Sequence, residues 1–183
     1  MSPSATAPIA LHDLDIVATR TREFDDAPPW LRSWSRAVLS GTCHHAHLAV
    51  MTGPYLQALL EGRKTIESRF TRNRVAPFEQ VRSGDVVFFK PAATPVLAAG
   101  FVTEALHIRL ADVPLTEIAR QFGEAIAPAD QSFWIDRAEA RFATLLTMGE
   151  VINIPPISIA KRDRRGWVVL NSITEGTRHT TLF

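Results

Sequence analysis

Three charged side chains in one short segment, Lys64, Glu67 and Arg69, have types and spacing suited to chemistry. Residues two apart on a β-strand lie roughly 6.5–7 Å apart on one face, so Glu67 and Arg69 can share a polar surface. We expect Lys64 at the entrance of that strand, beside a helix C-terminus, whose partial negative charge favours a cation. The set could bind a polar ligand or form a structural ion-pair network. Because an exposed ion pair contributes only ~0–1 kcal/mol to stability, a ligand site is favoured.

The residues around this set predict a short helix followed by a strand. Pro54 suits the first turn of a helix, and apolar residues recur at helical spacing over positions 55–60. Gly62 stands where the residue after a helix must accept a positive φ. The pattern then alternates from Thr65 to Phe70, which is typical of a strand.

The same residues carry a family resemblance. Gly62, Lys64, Glu67 and Arg69 fit the G-x-K-x-x-E-x-R signature of the ASCH domain, a branch of the PUA-like superfamily. The chain resembles that family over 46–170, in the sense of a one-domain fit. The signature has a helix before it and a strand after it, which makes the match more specific than four residues alone.

The downstream sequence agrees with this resemblance and extends it to the fold. Gly84-Asp85, followed by the apolar run Val86–Phe89, looks like the family's GD turn entering a barrel strand. The resemblance implies an α+β, mainly β fold, a PUA-like (ASCH) closed β-barrel flanked by short helices. We expect an N-terminal extension over 1–27, a single domain over 28–170 that includes an N-terminal helix, and a tail over 171–183.

Local patterns complete the predicted secondary structure. Residues 9–27 show no clear period and are predicted to be mostly loop, whereas Pro28-Pro29 precede a helical face that ends at Gly41. Strands are predicted at 86–89, 96–103 and 142–153. Asp130 is expected to cap a helix over 131–141. A hairpin is expected to join strands at 157–161 and 167–170.

The resemblance also implies a function, because relatives mostly engage RNA or a modified nucleobase in a cleft between the barrel and the signature helix. By that resemblance Lys64 would supply a point charge or a base, and Glu67 would accept from an exocyclic amine or a 2′-OH. Arg69 would hold Glu67 or bind phosphate. The expected ligand-binding residues are Gly62, Arg63, Lys64, Thr65, Glu67 and Arg69.

Basic residues are concentrated near this segment, although the whole chain has a net charge of only +1. Such a patch beside a cleft is what phosphate contact requires, since each cation placed on a phosphate releases counterions. A solvated loop with scattered arginines is the alternative. The expected contacts to a nucleic-acid backbone come from Arg72, Arg74 and Arg82 in a loop and from Lys161, Arg162, Arg164 and Arg165 at the hairpin tip.

A hydrolase is the alternative function at the same cleft. Some ASCH-like relatives resemble amidohydrolases of modified nucleosides, and others are reported as ribonucleases. A lysine of lowered pKa can activate water, and a carboxylic acid can protonate the leaving group, which would assign catalysis to Lys64, Glu67 and Glu124. The amidohydrolase-like members place a threonine three residues after the lysine, where this chain has Glu67. A protein-interaction adaptor is a third, less favoured class.

A second group of reactive side chains lies at Cys43, His44, His45 and His47. Adjacent residues on an extended chain point to opposite faces, and no second Cys/His pair follows, whereas zinc usually takes four ligands. We therefore expect a strand over 47–51 here, with no metal and no cofactor.

Composition bounds the remaining possibilities. The 183 residues are 46% hydrophobic and 21% charged, which is typical of a globular protein rather than a disordered one. One cysteine excludes an internal disulfide, and no apolar run reaches the ~18 residues of a membrane span. The first residues do not form a signal peptide, so we expect a cytoplasmic location and no membrane partner. The sequence leaves the oligomeric state open.

Overall fold

The computed structural model describes residues 13–43, 45–159 and 165–171. The contacts between Cα atoms group the chain into two compact units. One unit comprises Met1–His45 with Asn171–Phe183, and the other is Ala46–Leu170. The predicted N-terminal extension over 1–27, single domain over 28–170 and tail over 171–183 stay predictions. No helix in the described ranges is long and apolar enough to cross a membrane.

The described part of the first unit consists mainly of two helices, α1 (Asp13–Arg22) and α2 (Pro29–Leu39). The helix α2 lies where its apolar face predicts it. The loop predicted over 9–27 is wrong for the residues of α1. Its buried positions, Leu14, Val17, Ala18 and Thr21, do have helical spacing. Two of them are small or polar, so the apolar face is too weak to stand out in the sequence.

The second unit is built on a curled, mixed sheet of six strands. Their bounds are β1 (His45–Met51), β2 (Ile66–Thr71), β3 (Val86–Pro91), β4 (Val96–Arg109), β5 (Phe142–Ile157) and β6 (Trp167–Asn171). They lie in the order β2-β5-β4-β3-β1-β6, with β1 and β3 parallel and β2, β5, β4 and β3 successively antiparallel.

This order corrects two predictions. The closed barrel is wrong, because β2 and β6 are the two edge strands of an open sheet. The predicted hairpin between 157–161 and 167–170 is also wrong, because β6 neighbours β1 and not β5. Strand alternation and turn residues indicate that strands exist, but pairing between distant strands depends on contacts that no local pattern encodes.

Three short helices accompany the sheet, α3 (Tyr55–Leu60), α4 (Leu115–Ile126) and α5 (Ser132–Ile135). The helix α3 ends as predicted, with Gly62 at φ 71° just beyond it. The predicted helix over 131–141 is too long. Asp130 does accept a hydrogen bond from the Ser132 N–H at 2.8 Å, but the Arg141 N–H already donates to Thr71 in β2. The chain must therefore leave the helix early to enter β5.

Apolar side chains pack on both faces of β5. Leu146 and Met148 belong to a cluster that includes residues of α3, β1 and β3. Ala143 and Leu145 belong to a second cluster that includes Ile118 and Ile126 of α4. Since β5 also pairs with β2, these two clusters fix the position of the strand that carries Glu67 and Arg69.

Candidate functional site

A cavity of about 410 Å³ opens beside the edge strand β2. It is lined by Val50, Met51, Thr52, Tyr55, Lys64, Glu67, Ser68, Arg69, Phe70, Phe133, Asp136 and Arg137. These residues come from the end of β1, from α3, from the turn between α3 and β2, from β2 and from the segment around α5. The structure thus brings Lys64, Glu67 and Arg69 together at one cavity, with three cationic, two acidic and three aromatic side chains in its wall.

Glu67 and Arg69 form the ion pair that their spacing on a strand predicts. The Arg69 Nε donates to the Glu67 Oε1 at 2.8 Å, and the Glu67 side chain is only 4% exposed. The remaining nitrogens of Arg69 bond to the opposite side of the curled sheet. Nη1 donates to the Gly166 carbonyl at 3.2 Å, and Nη2 donates to the Val50 carbonyl at 3.1 Å. Arg69 therefore connects the edge strand β2 to β1 and to the residue before β6.

Lys64 is buried at the base of the cavity, with its side chain 3% exposed. Its Nζ donates to the Ile126 carbonyl at 3.0 Å and lies 3.6 Å from the Glu67 Oε2. Lys64 was expected beside the C-terminus of the preceding helix, but its ammonium group contacts the last residue of α4. Burial lowers the pKa of Lys64, the negative charge of Glu67 opposes that shift, and the positive charge of Arg69 adds to it. Lys64 therefore loses its proton more readily than an ordinary lysine.

Arg137 is a wall residue that the sequence did not reveal. Its guanidinium lies 3.5 Å from the centre of the Phe133 ring, and its Nη1 donates to the Phe133 carbonyl at 2.7 Å. Burial lowers the pKa of Arg137 from its ordinary value, but an arginine stays charged under any ordinary condition. The only signal was an Asp-Arg dipeptide after two aromatic residues. The dipeptide itself recurs as Asp163-Arg164 after two basic residues, so only the neighbouring aromatic residues distinguish Arg137.

The other residues predicted to bind the ligand lie outside the cavity wall. Gly62 shapes the turn after α3, and Arg63 is exposed and donates to the Glu61 carboxylate at 2.7 Å. Thr65 is exposed; its N–H donates to the Ala125 carbonyl, and its carbonyl accepts from the Met148 N–H. Glu124, predicted as a catalytic acid, is exposed on α4 and is also absent from the wall. The structure thus does not bring these four residues to the cavity.

The arginines predicted to grip a nucleic-acid backbone are dispersed over the surface. Arg72 lies 3.8 Å from the Glu139 carboxylate, and Arg74 donates to the Glu79 carboxylate at 2.9 Å. Arg82 and Arg165 are exposed, and Lys161, Arg162 and Arg164 lie outside the described residues. None of the four described arginines lines the cavity.

His47, of the Cys/His group, lies in a second buried polar cluster. Its Nδ1 accepts a hydrogen bond from the Trp167 Nε1 at 3.3 Å, so its Nε2 carries the hydrogen that is donated to the Asp85 Oδ2 at 3.0 Å. The same Asp85 oxygen accepts the Arg82 N–H at 2.8 Å. Both ring nitrogens of His47 thus bond to protein atoms. His44 lies outside the described residues, and the Cys43 Sγ lies 3.4 Å from the His45 carbonyl.

Comparison with known proteins gives matches among solved structures alone, since no family model and no curated protein matches the chain. An ASCH structure from Zymomonas mobilis has a TM-score of 0.49 and 15% identity, over 62% of this chain and 73% of that one. One mutant of the same protein has a TM-score of 0.49 and 15% identity, over 62% of this chain and 76% of that one. A second mutant has a TM-score of 0.48 and 15% identity, over 61% of this chain and 72% of that one. The chain is thus similar to solved structures of ASCH, the family that Gly62, Lys64, Glu67 and Arg69 indicate.

Proposed function

We propose that the cavity binds a single nucleobase, presented as a modified nucleoside or as an unstacked base of single-stranded RNA. The observation that carries this proposal is the Glu67 carboxylate, which is buried in the cavity wall and held there by Arg69 at 2.8 Å. A fixed carboxylate is suited to accept hydrogen bonds from an exocyclic amine or a 2′-OH, as protein groups do when they read a base edge.

The size and the walls of the cavity support one base rather than a helix. A volume of about 410 Å³ is near the lower end of the roughly 300–1,000 Å³ typical of small-ligand pockets. Tyr55, Phe70 and Phe133 give it an aromatic wall of the kind against which unstacked bases pack. A duplex cannot enter such a cavity without releasing a base from its stack.

The experiment that tests this proposal compares the wild type with Lys64→Ala and Arg63→Ala. Labelled single-stranded RNA is titrated against each protein at two salt concentrations, and the bound fraction is read by mobility shift. We expect a salt-sensitive shift that Lys64→Ala weakens severely and Arg63→Ala retains, because Lys64 lines the cavity and Arg63 does not. Circular dichroism checks that both variants are folded.

Two outcomes contradict the proposal. If Arg63→Ala weakens RNA binding as much as Lys64→Ala does, the cavity is not the site. If the wild type binds neither RNA nor any nucleoside of a modified panel, the ligand is of another class. An unfolded Lys64→Ala protein would indicate that Lys64, Glu67 and Arg69 form a structural network.

Hydrolysis is a second candidate, favoured by one observation. Burial lowers the pKa of Lys64, which makes its deprotonated amine easier to form as a proton acceptor. The Glu67 Oε2 lies 3.6 Å from the Lys64 Nζ, so a carboxylate is close enough to take part in proton transfer. The same samples, analysed by chromatography for cleaved RNA and for turnover of amide-bearing modified nucleosides, test this. Turnover that Lys64→Ala abolishes supports hydrolysis, and unchanged substrates exclude it for those compounds.

A further inference from the structure

We propose that Arg137 binds an anionic phosphate of the ligand, so that the cavity takes a nucleotide in preference to the matching nucleoside. This inference rests on the proposed function and adds a phosphate subsite to it. It follows from how differently the three cations of the cavity wall are used.

Two of those cations are already held by the protein. Arg69 donates from all three of its nitrogens, to Glu67, Gly166 and Val50. Lys64 donates to the Ile126 carbonyl and pairs with Glu67. A ligand phosphate would have to displace these bonds to reach either cation, so neither is suited to receive it.

The contacts of Arg137 within the described ranges hold the side chain in place without using most of its N–H donors. A guanidinium has five N–H donors, and among the described residues Arg137 forms one hydrogen bond, from Nη1 to the Phe133 carbonyl. The Phe133 ring supports the guanidinium from one face at 3.5 Å, which fixes its plane. Within the described ranges no carboxylate forms an ion pair with Arg137. The remaining N–H groups can therefore receive a phosphate in the bidentate geometry that arginine favours.

The charges of the wall lead to the same inference. Glu67 is shared by Lys64 and Arg69, and the second carboxylate, Asp136, is exposed. Arg137 is half-buried, and burial disfavours its charge strongly enough to lower its pKa. An anion beside it would offset this cost, whereas an uncharged nucleoside would leave it in place.

The test measures affinities by calorimetry for adenosine and cytidine, for their 5′-monophosphates, and for a diribonucleotide without a terminal phosphate. In the wild type we expect each monophosphate to bind at least about tenfold tighter than its nucleoside, which is the range of a charge-assisted hydrogen bond. Arg137→Gln should lower the affinity for each monophosphate more than the affinity for its nucleoside and so remove that difference, and Arg137→Lys should restore part of it. Arg120→Gln, on an exposed arginine of α4 paired with Glu117, is the matched control and should bind like the wild type.

The outcomes separate this inference from the proposed function. Nucleosides that bind as tightly as their monophosphates overturn the phosphate subsite and leave the nucleobase cavity standing. Equal losses of nucleoside and nucleotide in Arg137→Gln also overturn it, because they indicate a role in shaping the wall. No binding of any compound overturns both. If the diribonucleotide shares the Arg137-dependent gain, the subsite accepts a phosphodiester of RNA; if the monophosphates alone gain, it requires a terminal phosphate.

Discussion

Two buried polar clusters in the unit Ala46–Leu170 differ in what their side chains leave available. The cavity cluster consists of Lys64, Glu67 and Arg69, and the turn cluster consists of His47, Asp85 and Trp167. They contact each other at Trp167, whose ring centre lies 5.3 Å from the Arg69 guanidinium carbon. The members of the cavity cluster line the cavity, and those of the turn cluster do not.

The difference separates a cluster that serves the fold from one suited to a ligand. In the turn cluster both nitrogens of the His47 ring bond to protein atoms, Asp85 and Trp167 among them, and hydrogen bonds of this kind each contribute about 1 kcal/mol. In the cavity cluster a lysine and a carboxylate are buried beside a half-buried arginine, although apolar residues of similar volume are often equally stabilising. A stable fold does not need such charges, so their position at a cavity favours a function.

The largest expected effect is that of Glu67→Gln, which breaks the cavity cluster. The variant leaves the buried Lys64 and the half-buried Arg69 without a negative charge, and breaking a buried ion pair by removing one partner costs about 3 kcal/mol. We expect that loss in the free energy of unfolding, measured by urea denaturation. Glu61→Gln is the control, because Glu61 is paired with Arg63 on the surface and exposed pairs often contribute nothing measurable.

A loss in Glu67→Gln no larger than that of the control would contradict this account of the cavity cluster. It would mean that water or a rearranged side chain stabilises the positive charges of Lys64 and Arg69 in place of the Glu67 carboxylate. RNA binding by the same variant tells whether Glu67 also contacts the ligand.

A smaller effect is expected for Asp85→Ala, which breaks the turn cluster. The variant removes the carboxylate that accepts from the buried His47 Nε2 and from the exposed Arg82 N–H, and losing a hydrogen bond to a charged group costs about 2 kcal/mol. Because none of these three residues lines the cavity, nucleotide affinity should not change. Urea denaturation and calorimetry on one preparation measure both quantities. A loss of affinity without a loss of stability would join the two clusters into one site.

The part of the site that the sequence predicts is the part that lies on one continuous segment. Gly62, Lys64, Glu67 and Arg69 are close in sequence, so helix capping and strand alternation determine their arrangement. Phe133 on α5 and Arg137 just beyond it lie far from β2 in sequence, and the chain after them bonds to Thr71 and enters β5 beside β2. Local periodicity contains no information about that path.

The same limit explains the errors in the fold. The strands were predicted from their apolar patterns, but the open sheet results from β6 pairing with β1. The Val50 N–H donates to the Gly166 carbonyl across 116 positions, and Arg69 reaches Gly166 across 97. Contacts between residues so far apart in the chain depend on how the whole unit packs. Local sequence patterns do not reveal that packing.

The smallest expected effect is a pH dependence of stability that comes from Lys64 in the cavity cluster. Burial lowers the pKa of Lys64 in the folded state below the ordinary lysine value of 10.5. Between the lowered pKa and 10.5 the unfolded chain binds more protons than the folded one at this residue, so the stability contributed by Lys64 rises with pH. At lower pH both states are protonated, and the cost of the buried charge is constant.

Lys64→Met keeps the length of the side chain and cannot titrate, so the difference in unfolding free energy between the wild type and this variant isolates the effect. We expect that difference to shift in favour of the wild type as urea denaturation is repeated at rising pH. A difference that is flat, or that shifts towards Lys64→Met, would mean that the attraction of Glu67 outweighs desolvation and that Lys64 stays an ordinary ammonium group. It would then be suited to hold an anion but not to accept a proton.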